Sequence, residues 1–239
     1  MDSRMTLLFV GHDGYFEWTE MAVTPFENLV YPKLHLSHTK RLNQEGVTDI
    51  LAPHCLEAPD GDPYHRAGKD KWVKRMIEGL SFVTTKYVWL VQSDHMYIEM
   101  PSASTIENDF LDRMDTLRLD QLKLYAESLG STSEGPHRDN REILYQRDGF
   151  VIKYSGGDSY PLSHHATIFR TEWLLESLIE ARDKGFESAH EHELLYYKMG
   201  ERPPAEDLLK YREDDDKPWR IAEAAGSGVK FLSTISVGT

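Results

Sequence analysis

The stretch Y-V-W-L-V-Q-S-D-H-M-Y-I-E, Tyr87–Glu99, decides how this chain is read. Tyr87 to Val91 is a continuous apolar run, the pattern of a strand covered on both faces in a parallel sheet. The run stops at Ser93, Asp94 and His95 and resumes with Met96, Tyr97 and Ile98. An ionised carboxylate is costly to bury unpaired. Asp94 therefore either caps a turn at the strand's end or faces something that it holds.

Working outward, Lys71–Val83 carries Trp72, Val73, Met76, Ile77, Leu80 and Val83 on one stripe, with Lys71, Lys74, Arg75 and Glu78 opposite, which is an amphipathic helix. Thr6–Val10 reads as a buried first strand that stops at Gly11-His12-Asp13-Gly14. Strand, helix, strand is a βαβ unit. Leu34–Thr39 and Val47–Leu51 read as further strands, and 16–29 as a helix interrupted at Pro25. In the second half, 105–118, 172–184 and 189–199 read as helices, and 122–126, 150–154 and 166–170 as strands. Loops are expected at 57–69 and 130–141, and a charged, solvated segment at 200–217. The last twenty residues show no clear pattern. With no repeat and no linker, the expectation is one α/β domain built on a mixed, mostly parallel sheet flanked by helices.

The chain has 239 residues, enough for a sizeable core. Its net charge of −13, from 27 basic and 40 acidic residues, opposes a broad nucleic-acid or anionic-membrane surface. The single cysteine, Cys55, excludes an intrachain disulfide and fits a reducing, cytoplasmic setting. Met5–Val10 is too short for a signal-peptide core, and no segment reads as a membrane span.

In open α/β sheets, ligands bind beyond the carboxyl ends of the strands. Two clusters qualify: Val10-Gly11-His12-Asp13-Gly14, and Ser93-Asp94-His95. A carboxylate there can hold a divalent cation or a ribose hydroxyl.

Tyr87–Glu99 resembles the strand that carries the acidic motif in GT-A nucleotide-sugar glycosyltransferases. K-W-V-K-R-M-I-E-G-L is similar to the helix before that strand in the family. S-Y-P-L-S-H-H-A-T-I-F-R-T-E-W-L-L, 159–175, resembles the acceptor-side segment. E-S-A-H-E-H-E-L-L, 187–195, falls where inverting members place a general base at a helix start. The resemblance is one of pattern and order over about residues 5–199.

It implies a GT-A-like, Rossmann-related fold in a single domain, with a nucleotide-sugar-binding half at 1–100 and an acceptor-binding half at 101–239. It implies transfer of a sugar from a nucleoside diphosphate sugar to a hydroxyl of a glycan or other acceptor, with inversion. Val10, Gly11, His12, Asp13, Arg75, Ser93, Asp94 and Arg170 would meet the donor. Glu191, with Glu193 second, would be the base. Asp94 and His95 would hold Mn²⁺ or Mg²⁺. One departure stands out: the family's cluster has two acids, and this one has Asp94 alone. His95 is then the second ligand, or Lys71, Arg75 or Arg170 steadies the diphosphate without a metal.

Three other readings remain. A sugar nucleotidyltransferase usually carries a Gly-rich, basic first loop, and G-H-D-G-Y-F-E has no Lys or Arg. A non-catalytic nucleotide-sugar-binding module fits the single acid. A metal hydrolase lacks its ligand spacing, since H-E-H-E, 190–193, is not H-E-x-x-H. His54-Cys55 reads as an idle thiol beside a histidine, and His164-His165 as structural. Gly156-Gly157 reads as a hairpin loop or an acceptor-pocket lining. Trp72, Trp89 and Trp173 read as core, while Tyr15, Phe16 and Trp18 stand where a base can stack.

Overall fold

The computed structural model describes residues 3–13, 16–55, 71–93, 95–124, 143–148, 150–154, 162, 164, 166–196, 221–225 and 228–233. Its first half holds β1 (Met5–Val10), α1 (Phe16–Val23), β2 (Lys33–Ser37), β3 (Val47–Leu51), α2 (Trp72–Leu80), β4 (Tyr87–Gln92) and β5 (His95–Glu99). Its second half holds α3 (Ala103–Thr105), α4 (Asp112–Thr116), β6 (Gln121–Leu124), β7 (Ile143–Arg147) and β8 (Phe150–Tyr154). These are followed by β9 (Thr167–Arg170), α5 (Thr171–Asp183), α6 (Ala189–Glu193), β10 (Ile221–Ala225) and β11 (Lys230–Ser233).

Nine strands form one sheet in the order β3-β2-β1-β4-β9-β6-β10-β8-β7, so strands from both halves share it. β1 pairs in parallel with β2 and β4, β2 with β3, and β10 with β6. β9 is antiparallel to β4 and β6, and β8 to β10 and β7, so β8 and β9 alone run against the rest. The mixed, mostly parallel sheet expected from sequence is therefore present, flanked by helices. β5 and β11 form a separate antiparallel pair.

The alternation of a strand's side chains splits the core into two layers. Met5, Leu7 and Phe9 of β1, with Tyr87, Trp89 and Val91 of β4, pack beside Ala22, Val23 and Phe26 and beside Ile106, Phe110 and Met114. Leu8 and Val10, with Val88 and Leu90, pack on the other face beside Met76 and Leu80 of α2 and Leu174 and Leu178 of α5. All six residues of β1 are buried. Gly79 lets α2 lie against β2, because a Cβ there would come within 2.5 Å of Leu36 Cδ2. The start of α2 has no side-chain cap. Its orphan amides are met from afar instead: Lys71 N donates to Cys55 O and Val73 N to Glu187 O, both at 2.9 Å.

Several elements differ from the sequence reading. The helix expected at 105–118 is α3 and α4 joined by a π-helical turn, Ile106–Leu111. The break at Pro25 is a 3₁₀ turn, Thr24–Phe26. α6 gives way after Glu193 to a 3₁₀ turn, Leu194–Tyr196. β10 and β11 fall in the tail that showed no pattern, and β10 (I-A-E-A-A) owes its place to burial beside β6 and β8 rather than to propensity. The loops expected at 57–69 and 130–141 and the charged segment at 200–217 lie outside the described residues.

The amino ends of β1 and β4 are knitted by charge. Arg4 pairs with Glu107, Asp112 and Asp115 at 2.7–3.0 Å. Asp115 also accepts from the Tyr87 hydroxyl at 2.6 Å and pairs with Lys86. Burial works to raise the Asp115 pKa, but these three donors outweigh it and hold it at about 2. Arg170 belongs to this same edge, opposite Tyr87.

Leu90 is fully buried, so Leu90→Ala should lower stability in urea unfolding by about 2–5 kcal/mol. Val30→Ala, at a site 89% exposed, should stay within about 0.5 kcal/mol.

Candidate functional site at the carboxyl edge of the sheet

β2 lies on one side of β1 and β4 on the other, with β3 beyond β2. The strand order therefore reverses at β1 and β4, and their carboxyl ends flank the crevice where such sheets bind ligands. The register sets Val10 beside Gln92, and Ser93 N donates to Val10 O at 3.1 Å. The two clusters picked from sequence thus meet at Val10 and Ser93. Asp94 itself lies outside the described residues, as do Gly14 and Tyr15.

Gly11 is where the chain can turn this closely. A Cβ on it would stand 2.9 Å from both His35 Nε2 and Thr19 Oγ1, two groups that are themselves buried. Its carbonyl accepts from Arg75 Nη1 at 2.5 Å, and the same nitrogen reaches Leu36 O at 3.4 Å. Arg75 is 1% exposed, so its guanidinium ties the ends of β1 and β2 together rather than opening into the crevice.

Asp13 makes a similar tie. Its carboxylate accepts from Thr39 N at 3.1 Å and His38 N at 3.3 Å, and from the Thr39 hydroxyl. Burial works to raise its pKa, but the hydrogen bonds from Thr39 and Lys40 lower it below the usual range. His12 lies edge-on to His38, ring centroids 5.2 Å apart. His35 Nδ1 sits 2.7 Å from Asp49 Oδ1. Burial lowers the His35 pKa despite that partner. Phe16, half-buried, carries Lys40 Nζ over its ring at 5.2 Å.

His95 opens β5 and is 1% exposed. Burial pushes its pKa down to about 4, so at neutral pH the ring is uncharged, the form that ligates a metal.

β9 runs against β4, so the residues that precede it arrive at the carboxyl end of β4. His164 sits there, and α6 docks over it. Ser177 Oγ donates to Leu174 O at 2.8 Å and therefore accepts from His192 Nε2 at 3.0 Å. His192 Nδ1 is then the acceptor for His164 Nε2 at 2.8 Å. The two rings are nearly coplanar, and Trp72 packs on both, at 4.7 and 5.8 Å. The outer end of this chain is Glu193, whose Oε1 lies 3.5 Å from His164 Nδ1 and accepts from His164 N at 2.9 Å.

Glu191 is engaged differently. Its Oε2 accepts from Ser188 N, Glu187 N and Ser188 Oγ at 2.8–3.0 Å, while Ser188 Oγ accepts from Glu191 N. That is a capping box for α6, and the backbone donors lower its pKa.

Arg170 is the clear displacement from expectation. It bonds Asp120 Oδ1 at 3.1 Å and Leu119 O at 3.3 Å at the opposite edge of the sheet. An antiparallel strand puts its last residue at its neighbour's beginning, and the sequence gives no sign of that direction. Trp72, Trp89 and Trp173 are buried, as read. His35, His38 and Ser177 carry no signal as single polar residues until the fold converges them, and His192 stood out only as part of H-E-H-E. Among the described residues, no helix is long and apolar enough to cross a membrane.

Gly11→Ala should cost about 1–3 kcal/mol of stability, since His35 and Thr19, both buried, would have to shift to admit the methyl group; chemical unfolding reads this directly. His192 sets a pH dependence. Burial pushes its pKa down to about 3 from an ordinary 6.5. As pH falls through 6.5 toward 3, the unfolded chain takes a proton that the folded chain refuses, so stability drops across that window. His192→Gln should flatten this acid limb in a pH series of melting curves.

No protein-family model matches the chain, and no curated protein matches it in sequence. Among solved structures it is similar to Staphylococcus aureus TarS. The 1–349 fragment aligns at 14% identity and a TM-score of 0.49, over 97% of this chain and 60% of that one. The same fragment in complex with UDP-GlcNAc aligns at 14% identity and 0.49, over 99% and 60%. A longer TarS structure aligns at 15% and 0.48, over 98% and 37%. This chain thus spans about three fifths of the TarS fragment's length, and a likeness at that level carries no argument about what it does.

Proposed function

We propose that the protein is a GT-A-like glycosyltransferase that moves a sugar from a nucleoside diphosphate sugar to an acceptor hydroxyl, with inversion. The observation that carries this reading is the meeting of Val10 and Ser93 at the reversal of strand order, with Glu193 on the element that covers the same edge. Residues 1–100 bind the donor, and 101–239 supply the acceptor side, within one domain. The single thiol and the net charge of −13 fit a cytoplasmic enzyme.

In this reading the backbone of Val10, Gly11 and His12 lines the nucleoside site, with Phe16 as a stacking face. Asp13 and Arg75 fix that loop from behind. Ser93 and Asp94 face the ribose and diphosphate. The donor set of one carboxylate and one neutral imidazole, Asp94 and His95, suits Mn²⁺ better than Mg²⁺. Such an ion, when bound, supplies positive charge for the departing diphosphate.

An acceptor hydroxyl is a weak nucleophile until its proton is taken. Glu193 is the base, in preference to Glu191, because three donors already converge on one oxygen of the Glu191 carboxylate. His164, oriented by His192 and Ser177, steadies Glu193 through its backbone amide. The anomeric carbon passes through an oxocarbenium-like state as the diphosphate leaves.

A melting-temperature screen with UDP, GDP, CDP and dTDP, with and without Mn²⁺, tests the donor site. One nucleotide at about 100 times its Kd should add about 2.7 kcal/mol, and Asp94→Ala should abolish that shift. If no nucleotide stabilises the protein, the reading fails. Once a donor is known, Glu193→Gln should lower kcat by about 10²–10⁴ with nucleotide binding intact, while Glu191→Gln should act chiefly through stability, by about 1 kcal/mol. Nucleotide-sugar binding without turnover in any acceptor screen would instead favour a binding module.

A further inference from the structure

Read along the sequence, His54 and Cys55 are neighbours with nothing to do. The fold adds a third group. They occupy a 3₁₀ turn, Pro53–Cys55, that follows β3 at the free edge of the sheet. Glu78 of α2 turns toward them. His54 Nε2 lies 2.7 Å from Glu78 Oε1, and Cys55 Sγ lies 3.9 Å from the same oxygen. One ligand atom each from His54, Cys55 and Glu78 all lie within 4.8 Å of one another, the one such convergence of metal-binding side chains among the described residues.

We propose that His54 Nε2, Cys55 Sγ and Glu78 Oε1 form a zinc site. Around a tetrahedral ion, such ligands stand ~3.3–3.6 Å apart, given metal–ligand bonds of about 2.0–2.3 Å. The present spacings bracket that range, so small rotations of two surface side chains suffice. The mix of thiolate, imidazole and carboxylate is one that zinc accepts and that magnesium and calcium do not favour.

The backbone presets the geometry. Cys55 N donates to Ala52 O, and Cys55 O accepts from Lys71 N, at 3.1 and 2.9 Å. The sulfur is buried, whereas the His54 and Glu78 side chains are 53% and 35% exposed. The ion would enter from solvent, with its fourth position left for water. Binding replaces the His54–Glu78 hydrogen bond with two metal bonds, and the Cys55 thiol gives up its proton to solvent.

A solvated His–Glu pair beside a buried thiol is the plain alternative, and it stabilises little. What sets this cluster apart is that its sulfur turns to a carboxylate while the rest of that layer is apolar. The site lies apart from the ends of β1 and β4: it follows β3, and β2 lies between β3 and β1. It therefore stands or falls independently of the sugar-transfer reading.

The test uses the full chain, stripped of metal with a chelator and titrated with Co²⁺ and then Zn²⁺. Cobalt should give a thiolate-to-metal charge-transfer band that saturates at one equivalent and is displaced by zinc. Cys55→Ser should abolish the band. His54→Gln and Glu78→Gln, at solvent-facing positions, should each weaken binding about tenfold or more, and Asp94→Ala should leave the band unchanged. No band in wild type, or a band that survives Cys55→Ser, overturns the proposal. Zinc binding that is lost in Asp94→Ala and kept in Cys55→Ser does so as well, by placing the ion in the crevice.

Discussion

The parallel pairing of β1 with β4 is the constraint on which the rest of the molecule depends. Six residues of each strand lie in register, from Met5 beside Tyr87 to Val10 beside Gln92. Both strands are covered on both faces, so a slip of one residue would turn Leu7 and Trp89 out of one core layer and into the other. The hydrophobic pattern thereby fixes the register. The register in turn fixes that Gly11 and Ser93 leave the sheet side by side. No polar residue had to be selected for that juxtaposition; it follows from where two apolar runs end.

The edges at the two ends of these strands use their charges differently. At the amino edge, Arg4, Lys86, Tyr87 and Asp115 satisfy one another, and Arg170 satisfies Asp120. At the carboxyl edge, Arg75 and Asp13 are turned onto backbone groups of neighbouring loops. A buried guanidinium is costly without partners, and here carbonyls supply them. The consequence is a carboxyl edge whose loop backbone is tied from behind by Arg75 and Asp13.

Much of the architecture was legible in the chain. β1, β4, α2 and α5 announce themselves as apolar runs or apolar stripes because both faces, or one whole face, are buried. β9 was legible as a strand and not as an antiparallel one, since direction is decided by what precedes it. β10, short and alanine-rich, is held by its neighbours and left no trace. The site shows the same division. Val10–Asp13 and Ser93–His95 were visible because strand ends are visible. Arg75 was expected at the donor from the family resemblance, whereas its guanidinium is drawn onto two carbonyls. The His164–His192–Ser177 chain was invisible because its members are 13 to 28 residues apart in pairs that only docking of α6 brings together, with Trp72 packed on both histidine rings.

The uncapped start of α2 has a consequence for how the molecule is assembled. The amide of Val73 is completed by the carbonyl of Glu187, a residue made roughly a hundred positions later. At ordinary rates of synthesis that interval is on the order of ten seconds. During it, the helix that covers the second core layer has an open first turn and, beyond β4, no β9 to close the sheet. The nascent front half is thus a strand-edged, half-covered body, and the segment joining α5 to α6 is the latch that completes it.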